Sequence, residues 1–447
     1  MKLVNSYKNA IKPFSKAIGD VIISSIPQIV AIVVGLLTTS LIARGLGPSG
    51  MGIFALVISF STLIIGLSDL GIGQTTIRFA SKAATRDDKV GFFGVLRWAF
   101  RLRLVLILIL STLFYALAPL ISTNFWHDES LTYYLRLSLL IGIFSVISHI
   151  PYVYFQSLKR FRANAILSTL QTVVIFIGIL IIALLNNWSL QLVIGVNILA
   201  SIINASSFAL SVPKSTFIDP SNSFIKTLKQ FWKAPNLKNI SESSESYNIY
   251  SFTFFMVISS LAVMITMQAD IWLMGYYLEP NQVGIYSVAK YFTVPLTVLI
   301  AAVNTALWPR ASELMKTHES VEMLRITFKF SILASTFGLL YSFIVPFTTP
   351  WIFGEAYNGG IIIGILLCVR YCIAILICPL GIIGYNFDMV YVYWWVNIIQ
   401  LLIVIGISIM LLPSIGPIGS AIALIANEIV GSLIMGLLLW RKIKIYT

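Results

Sequence analysis

Four charged residues stand within long apolar stretches of this 447-residue sequence. Asp270 and Lys290 flank the short turn at residues 279–282, and Arg370 and Glu428 belong to two later apolar stretches. An ionisable side chain at membrane depth costs about 2.5–3.5 kcal/mol on insertion scales, so its presence suggests a function. A lysine or an arginine in such a place can hold a phosphate or a pyrophosphate, as a point charge or through two parallel hydrogen bonds.

Asp270 and Lys290 lie at similar depth, because each is eight or nine residues from the turn, or about 12–14 Å along a helix. Two interpretations stay open for this pair. It is either a salt bridge that locks two antiparallel helices, or Lys290 is shared between Asp270 and a phosphate, with the exchange coupled to gating. Arg370 and Glu428 form a second candidate pair at matched depth, in which Arg370 would hold a pyrophosphate.

Five further polar residues are weaker candidates. Arg136 lies near the end of an apolar stretch, where its head group can also reach the interface along its apolar stem. Asp69, Arg78 and Arg310 are predicted at helix ends, where orientation and loop structure explain them, although Arg78 and Arg310 would also suit a phosphate at the entrance of a cavity. His149 is more simply a hydrogen-bonded core histidine than a proton carrier.

The composition defines the class of protein that carries these charges. Hydrophobic residues make up 58% of the chain and charged residues only 11%, which is typical of a polytopic membrane protein. The three cysteines share one apolar stretch without metal or disulfide spacing, so we expect neither a metal nor a cofactor. We predict an all-α fold with about twelve transmembrane helices of roughly 20 residues or more. Their approximate limits are 18–43, 51–70, 100–121, 131–155, 165–186, 190–212, 250–278, 283–308, 328–353, 359–384, 389–412 and 416–440.

The positions of the basic residues predict the orientation of the chain. Of the 30 lysines and arginines, 26 fall in the termini and in the loops on one side of the predicted helices, whereas the opposite loops contain only Arg44. Cytoplasmic loops are enriched in Lys and Arg, so both termini are expected in the cytoplasm. The net charge of +13 is then explained by this orientation in the membrane and requires no nucleic-acid partner.

An internal repeat divides the chain into two halves. The segment GLGPSGMGIF at 45–54 aligns with YLEPNQVGIY at 277–286 under an offset of 232 residues, with identical Leu, Pro, Gly and Ile positions. We therefore predict six-helix lobes at 1–212 and 250–447, related by a pseudo-two-fold axis along the membrane normal. The connection at 213–249 contains an amphipathic helical pattern, which suits a linker lying on anionic lipid or a capture surface for a phosphorylated lipid.

Several motifs resemble one known family. LGPSGMGIFALVISFSTLIIGLSDLGIGQTTIRFAS at 46–81, DIWLMGYYLEPNQVGIYSVAKYF at 270–292, LWPRASEL at 307–314 and IGPIGSAIA at 415–423 are similar to motifs of the polysaccharide biosynthesis and O-antigen flippase family. That family belongs to the superfamily that also holds multidrug and toxin extruders and lipid II flippases. The resemblance implies a transporter with two lobes around a central cavity, which moves polyprenyl-linked oligosaccharides from the cytoplasmic to the outer leaflet of the inner cell membrane. Polysaccharide polymerases or glycosyltransferases are the expected partners of a monomeric protein.

Two other classes of function were weighed. The sequence has no phosphate-binding glycine loop, no metal cluster and no long outer loop, which disfavours an enzyme and in particular a membrane-embedded glycan polymerase. A cation-coupled multidrug extruder of the same superfamily would need an acidic cavity. Lys290, Arg370 and Arg136 indicate a cationic one instead.

Overall fold

The computed structural model describes residues 2–158, 160–212, 249–300, 318–386 and 390–446, and within these ranges the chain forms helices and no strands. A π-helical turn at Ile121–Phe125 follows the third helix, and a 3₁₀ helix at Glu355–Gly360 follows the eleventh. The helices are α1 Lys2–Asp69, α2 Ile72–Thr85, α3 Lys89–Leu120, α4 Leu131–Ser157, α5 Phe161–Leu184, α6 Leu190–Ser211, α7 Ile249–Tyr277, α8 Pro280–Tyr291, α9 Val294–Ile300, α10 His318–Ser342, α11 Val345–Phe353, α12 Ile361–Asn386, α13 Val390–Ile415 and α14 Pro417–Tyr446.

Helix α1 consists of two limbs that meet at Gly47. The backbone of Gly47 is not helical (φ 68°, ψ 176°), a conformation that glycine adopts without a Cβ clash. The part of α1 that is apolar enough to cross a membrane, Ile29–Asp69, contains 41 residues. As one straight helix it would measure about 60 Å, roughly twice the hydrocarbon core. The predicted turn at 45–54 is therefore a single break in the backbone, and the second limb starts at Pro48.

Nine helices within the described ranges are long and apolar enough to cross a membrane, or eleven if each of two bent pairs forms one span. The membrane-protein class and the all-helical fold predicted from the sequence are thus confirmed. The layout of twelve helices in two lobes stays a prediction, as do the boundaries at 212 and 250. The linker at 213–249 lies almost wholly outside the described residues.

The two bent pairs coincide with prolines. Helices α8 and α9 meet at 40°, and α10 and α11 meet at 54°. Pro295 and Pro346 follow the two bends by two or three residues. A proline inside a helix lacks the N–H donor and its ring clashes with the carbonyl four residues earlier, which bends the helix. The two predicted spans at 283–308 and 328–353 are therefore not straight, and residues 301–317 of the first lie outside the described part of the chain.

Helix α2 was not predicted as a separate element. The second limb of α1 ends at Asp69, and Leu70 and Gly71 both have positive φ (40° and 75°), so the helix axis changes direction there. Helix α2 is amphipathic: its buried residues recur at helical spacing, whereas Arg78 is exposed. The prediction that placed Arg78 at the end of a membrane helix is wrong, because Arg78 lies in the middle of this short additional helix.

The helices of the first and second halves pack against each other. The indole Nε1 of Trp272 donates to Ser59 Oγ at 3.1 Å, and Gly66 contacts the side chain of Met264. The contacting residues on α1 run from 59 to 66, while their contacts on α7 run from 272 back to 264. These two helices are therefore antiparallel. The pairing of Asp270 with Lys290 makes α7 and α8 antiparallel too. The second limb of α1 and α8, which both follow the repeated turn, therefore run in the same direction.

Candidate functional site

The carboxylate of Asp270 lies at the centre of a buried polar cluster on α7 and α8. Its side chain is 1% exposed. It accepts hydrogen bonds from Lys290 Nζ at 2.7 Å, from the Tyr286 hydroxyl at 2.8 Å and from the backbone N–H of Ile271 at 2.8 Å. Three donors, one of them charged, are enough to hold a carboxylate at this depth.

The local sequence explains why these groups meet. Helix α7 ends at Tyr277 and α8 starts at Pro280, a residue suited to the first helical position because its missing N–H has no partner there anyway. The short turn between the two helices brings residues at equal distance from it side by side. Tyr286 and Lys290 are four residues apart and therefore lie on the same face of α8. The role of Tyr286 was missed from the sequence, although this spacing is the signal that would have found it.

Lys290 differs from its partner in exposure. Its side chain is 33% exposed, against 1% for Asp270. An ammonium group has three N–H donors. Besides Asp270, the Lys290 ammonium reaches one other acceptor in the described part of the chain, the carbonyl of Met267 at 3.5 Å. Lys290 thus retains the capacity to bind a further anionic group while Asp270 neutralises it.

Arg370 on α12 and Glu428 on α14 form the second pair. Arg370 Nη2 lies 3.0 Å from Glu428 Oε1, and the two side chains are 18% and 20% exposed. The contact uses one nitrogen of the guanidinium, whose carbon also lies 4.9 Å from the centre of the Tyr371 ring. Arg370 Nε is buried without a hydrogen-bond partner among the described residues. This guanidinium therefore has donor capacity that Glu428 does not use.

The two pairs belong to one electrostatic network. Tyr286 is fully buried and donates to Asp270, and the charge of Arg370 on α12 acts electrostatically on both Tyr286 and Asp270. Four helices, α7, α8, α12 and α14, contribute to it. A change in charge at one pair is consequently felt at the other.

The remaining predicted site residues lie elsewhere. Arg136 on α4 stacks on the ring of Tyr115 from α3, with its guanidinium carbon 4.4 Å from the ring centre, and its Nε donates to the Tyr115 carbonyl at 3.4 Å. Arg78 is exposed on α2. Arg310 lies outside the described residues. The assignment of Arg136 to the same phosphate-binding group as Lys290 and Arg370 finds no support in these contacts.

A second buried charged cluster lies in the first half of the chain. Arg103 on α3 is 1% exposed, and its Nη1 lies 3.2 Å from Asp69 Oδ1 and contacts His149 Nδ1 on α4. Sequence reasoning missed Arg103 because it counted this residue among the basic residues of a loop. The structure extends α3 from Lys89, so Arg103 belongs to the helix and faces its neighbours.

The described residues contain no group of three or more His, Cys, Asp or Glu side chains arranged to hold a metal ion. Cys368 and Cys372 are buried thiols.

Comparison with solved structures defines the class of fold. The chain is similar to a multidrug resistance MATE family transporter of the MOP superfamily in an inward-facing conformation (TM-score 0.70, 15% identity, 95% of this chain and 98% of that chain covered). It is also similar to the lipid II flippase MurJ in an inward closed conformation (0.67, 18%, 94% and 89%). A third similar structure is a MOP superfamily transporter from Pyrococcus furiosus, described as having a binding pocket of reverse polarity (0.63, 15%, 95% and 95%). The fold is that of MOP superfamily transporters.

The sequence itself identifies the family. Residues 18–315 match the polysaccharide biosynthesis protein family, and the chain belongs to it. A search of curated proteins finds no match.

Proposed function

We propose that this protein is a flippase that moves polyprenyl-(pyro)phosphate-linked sugar intermediates across the cytoplasmic membrane for polysaccharide or O-antigen-type glycan biosynthesis. Both termini would lie in the cytoplasm, and the protein would act as a monomer alongside glycosyltransferases or a polysaccharide polymerase. The family and the transporter fold support this class of function. The lipid-linked sugar is the cargo that the family resemblance implies, and the cations inside the membrane helices suit its anionic head group.

The observation that carries the proposal is the donor capacity left on two paired cations. Lys290 is 33% exposed beside a carboxylate that is 1% exposed, and Arg370 uses one nitrogen on Glu428 while its Nε stays unpaired among the described residues. A phosphate or pyrophosphate diester has more acceptor atoms than a carboxylate, and the pyrophosphate also carries more charge. An arriving head group would therefore pair with Lys290 and Arg370 in place of Asp270 and Glu428. When the head group leaves, the two original ion pairs would form again.

Alternating access requires contacts that open and close at one end of the helices. On the side of Gly47, which we predict to be the outer side, Arg44 donates to the carbonyls of Trp351 and Ile352. The hydroxyl of Tyr357 donates to the carbonyl of Ala43 at 2.8 Å. These contacts tie the two halves together, and release of cargo to the outer leaflet would have to break them.

The membrane potential would favour this direction of transport. Moving an anion out of a cell with a negative interior gains about 2.3 kcal/mol per charge per 100 mV when the charge crosses the whole field. The protein would then mainly lower the barrier and alternate its opening. Asp270 and Glu428 remain the residues through which an ion would be coupled.

A transport assay in proteoliposomes with a fluorescent polyprenyl-pyrophosphate sugar tests the proposal. Lys290→Ala and Arg370→Ala are each expected to abolish translocation at normal expression, whereas Lys329→Ala, which removes an exposed cation, should leave it intact. The decisive variants exchange the partners: Asp270→Lys with Lys290→Asp, and Arg370→Glu with Glu428→Arg. Failure of both exchanges to restore transport supports phosphate binding. Full recovery would make the pair structural and overturn this site.

The same vesicles separate the rival transporter function. A multidrug extruder would move cationic dyes, and its transport would depend on Asp270 and Glu428 and not on Lys290. Dye transport without movement of the lipid-linked sugar would reject the flippase proposal.

A further inference from the structure

Asp69, Arg103 and His149 form a buried cluster in the first half of the chain, at the end of the membrane helices opposite to Gly47. Asp69 is the last residue of α1, and the other two come from α3 and α4. Arg103 Nη1 lies 3.2 Å from Asp69 Oδ1 and contacts His149 Nδ1. The cluster is separate from Lys290 and Arg370, which belong to the second half.

The guanidinium of Arg103 is only partly used. It has five N–H donors and its side chain is 1% exposed. Its Nε and Nη2 are buried and have no hydrogen-bond partner among the described residues. Because a buried donor without a partner is costly, such a group is expected to have a further ligand.

A helix N-terminus points at the same carboxylate oxygen. The backbone N–H of Gly73, in the first turn of the 14-residue helix α2, donates to Asp69 Oδ1 at 3.1 Å. A Cβ at position 73 would come within 2.8 Å of His149 Cε1 and 2.9 Å of Asp69 Oδ1, so the close approach requires glycine. The positive end of the α2 dipole and the charge of Arg103 therefore converge on one anionic atom.

Asp69 is the residue of this cluster that faces solvent. Its side chain is 29% exposed, whereas Arg103 behind it is 1% exposed. A rotation of the Asp69 side chain would thus uncover the guanidinium and the N–H of Gly73. The carboxylate closes a cationic pocket that is otherwise built for an anion.

We propose that this cluster is a phosphate-binding site, which the carboxylate of Asp69 occupies in the present conformation. A phosphate has more acceptor oxygens than a carboxylate and can take two parallel hydrogen bonds from Arg103 together with the Gly73 N–H. The phosphate belongs either to a lipid head group in the adjacent leaflet or to an ion dissolved in the cytoplasm. The site does not depend on the proposed transport activity.

The charges around the site favour an anion. Arg78 and Lys82 lie on α2 and Arg86 follows its last residue, and the first half of α3 carries Arg97 and Arg101. These five cations outnumber the two carboxylates between the helices, Asp87 and Asp88. Clustered charge of one sign raises the local concentration of counter-ions and speeds their association. An anion at the membrane surface is therefore drawn towards the open side of Asp69.

Two substitutions with opposite expected signs test the proposal. Asp69→Asn keeps the size of the side chain and its acceptor for Gly73 but removes the competing charge, so phosphate should bind at least about tenfold more tightly. Arg103→Gln should abolish binding. Asp88→Asn is the control, because Asp88 is likewise an aspartate at a helix start: its Oδ1 accepts from the Gly91 N–H at 2.8 Å at the start of α3.

Binding is measured on the purified full-length protein, with inorganic phosphate in detergent and with phosphatidic acid against phosphatidylcholine in nanodiscs. A response of Asp69→Asn to inorganic phosphate identifies a dissolved ion, and a response to phosphatidic acid alone identifies a lipid. If Arg103→Gln does not fold, Arg103→Lys, which keeps the charge without the paired donors, should bind at least about tenfold more weakly than wild type. A purely structural salt bridge predicts that Asp69→Asn loses stability without any gain in affinity for either probe, and that result overturns the proposal.

Discussion

Gly52 and Gly284, which are equivalent under the 232-residue repeat, lie backbone to backbone where the second limb of α1 crosses α8. A Cβ on Gly52 would collide with the carbonyl oxygen of Pro280, and a Cβ on Gly284 would collide with that of Pro48. Pro48 and Pro280 are themselves a repeat-related pair, so the contact is reciprocal, as in an interface with two-fold symmetry. If the two halves are related by the predicted pseudo-two-fold axis, that axis would pass through this crossing.

We expect Gly52→Ala and Gly284→Ala each to destabilise the protein by about 1–3 kcal/mol, since the added methyl group must push two helix backbones apart. The double variant should cost less than the sum, because both substitutions act on one contact. Thermal unfolding in detergent measures the effect. Gly195→Ala is the control: no atom lies within 4 Å of its Cβ position, so it should be neutral or slightly stabilising.

Arg44 is expected to hold the predicted outer side closed. Its Nε donates to the carbonyl of Ile352 at 2.9 Å and its Nη2 donates to that of Trp351, at the end of α11. Arg44→Gln should favour opening, because one amide cannot reach both carbonyls. Ala43→Cys reports it, since Ala43 is 0% exposed. In a background without the native cysteines, labelling of this cysteine by a membrane-impermeant thiol reagent should rise severalfold in Arg44→Gln. Unchanged labelling would show that Tyr357 and its neighbours close the contact without Arg44.

Removing Lys290 alone should destabilise the protein more than removing both charges of the Lys290–Asp270 ion pair. Lys290→Met leaves a carboxylate that is 1% exposed with hydrogen bonds but without its counter-charge, which should cost about 3–5 kcal/mol. Adding Asp270→Asn removes the buried charge and should recover most of this loss. Transport should stay absent in both variants if Lys290 binds the head group. Thermal unfolding and the proteoliposome assay together distinguish the two roles.

The orientation can be tested on exposed residues at opposite ends of the described helices. Thr85 ends α2 and Asn187 lies between α5 and α6, and both are exposed. In the background without native cysteines, Thr85→Cys should react only after the cells are made permeable, whereas Asn187→Cys should react in intact cells. Ser221→Cys in the linker should behave like Thr85→Cys. The reverse pattern would reject the orientation derived from the basic loops.

The charged pairs of the second half could be found from the sequence because a tight turn fixes which residues are at equal depth. Asp270 and Lys290 are close in sequence, and the turn between them leaves little freedom. Arg370 and Glu428 lie on helices that are not consecutive, yet both are rare charges in apolar stretches at matched depth. Because burying an unpaired charge in the membrane costs free energy, such charges are expected to form ion pairs with each other.

The cluster at Arg103 could not be found in this way. Arg103 follows six other basic residues from Arg78 onward, so its charge looked like part of a loop. The predicted span started at residue 100, with the apolar run, whereas the Asp88 side chain caps the start of α3 about twelve residues earlier. The preceding helix α2 starts after two positive-φ residues, Leu70 and Gly71. A non-glycine residue such as Leu70 rarely adopts that conformation, and no local sequence signal predicts it.

Tyr286 provides the last prediction, because it connects the two charged pairs. Its hydroxyl donates to Asp270 Oδ2 at 2.8 Å, and it also interacts with Arg370. Tyr286→Phe removes one of three donors to Asp270 and keeps the packing of the ring, so the loss of stability should be only about 1 kcal/mol. With fewer donors, Asp270 should hold Lys290 more tightly. We therefore expect an increased KM for the lipid-linked sugar, measured in proteoliposomes, together with a thermal stability close to that of wild type. An unchanged KM would mean that the lysine exchanges partners independently of this hydroxyl.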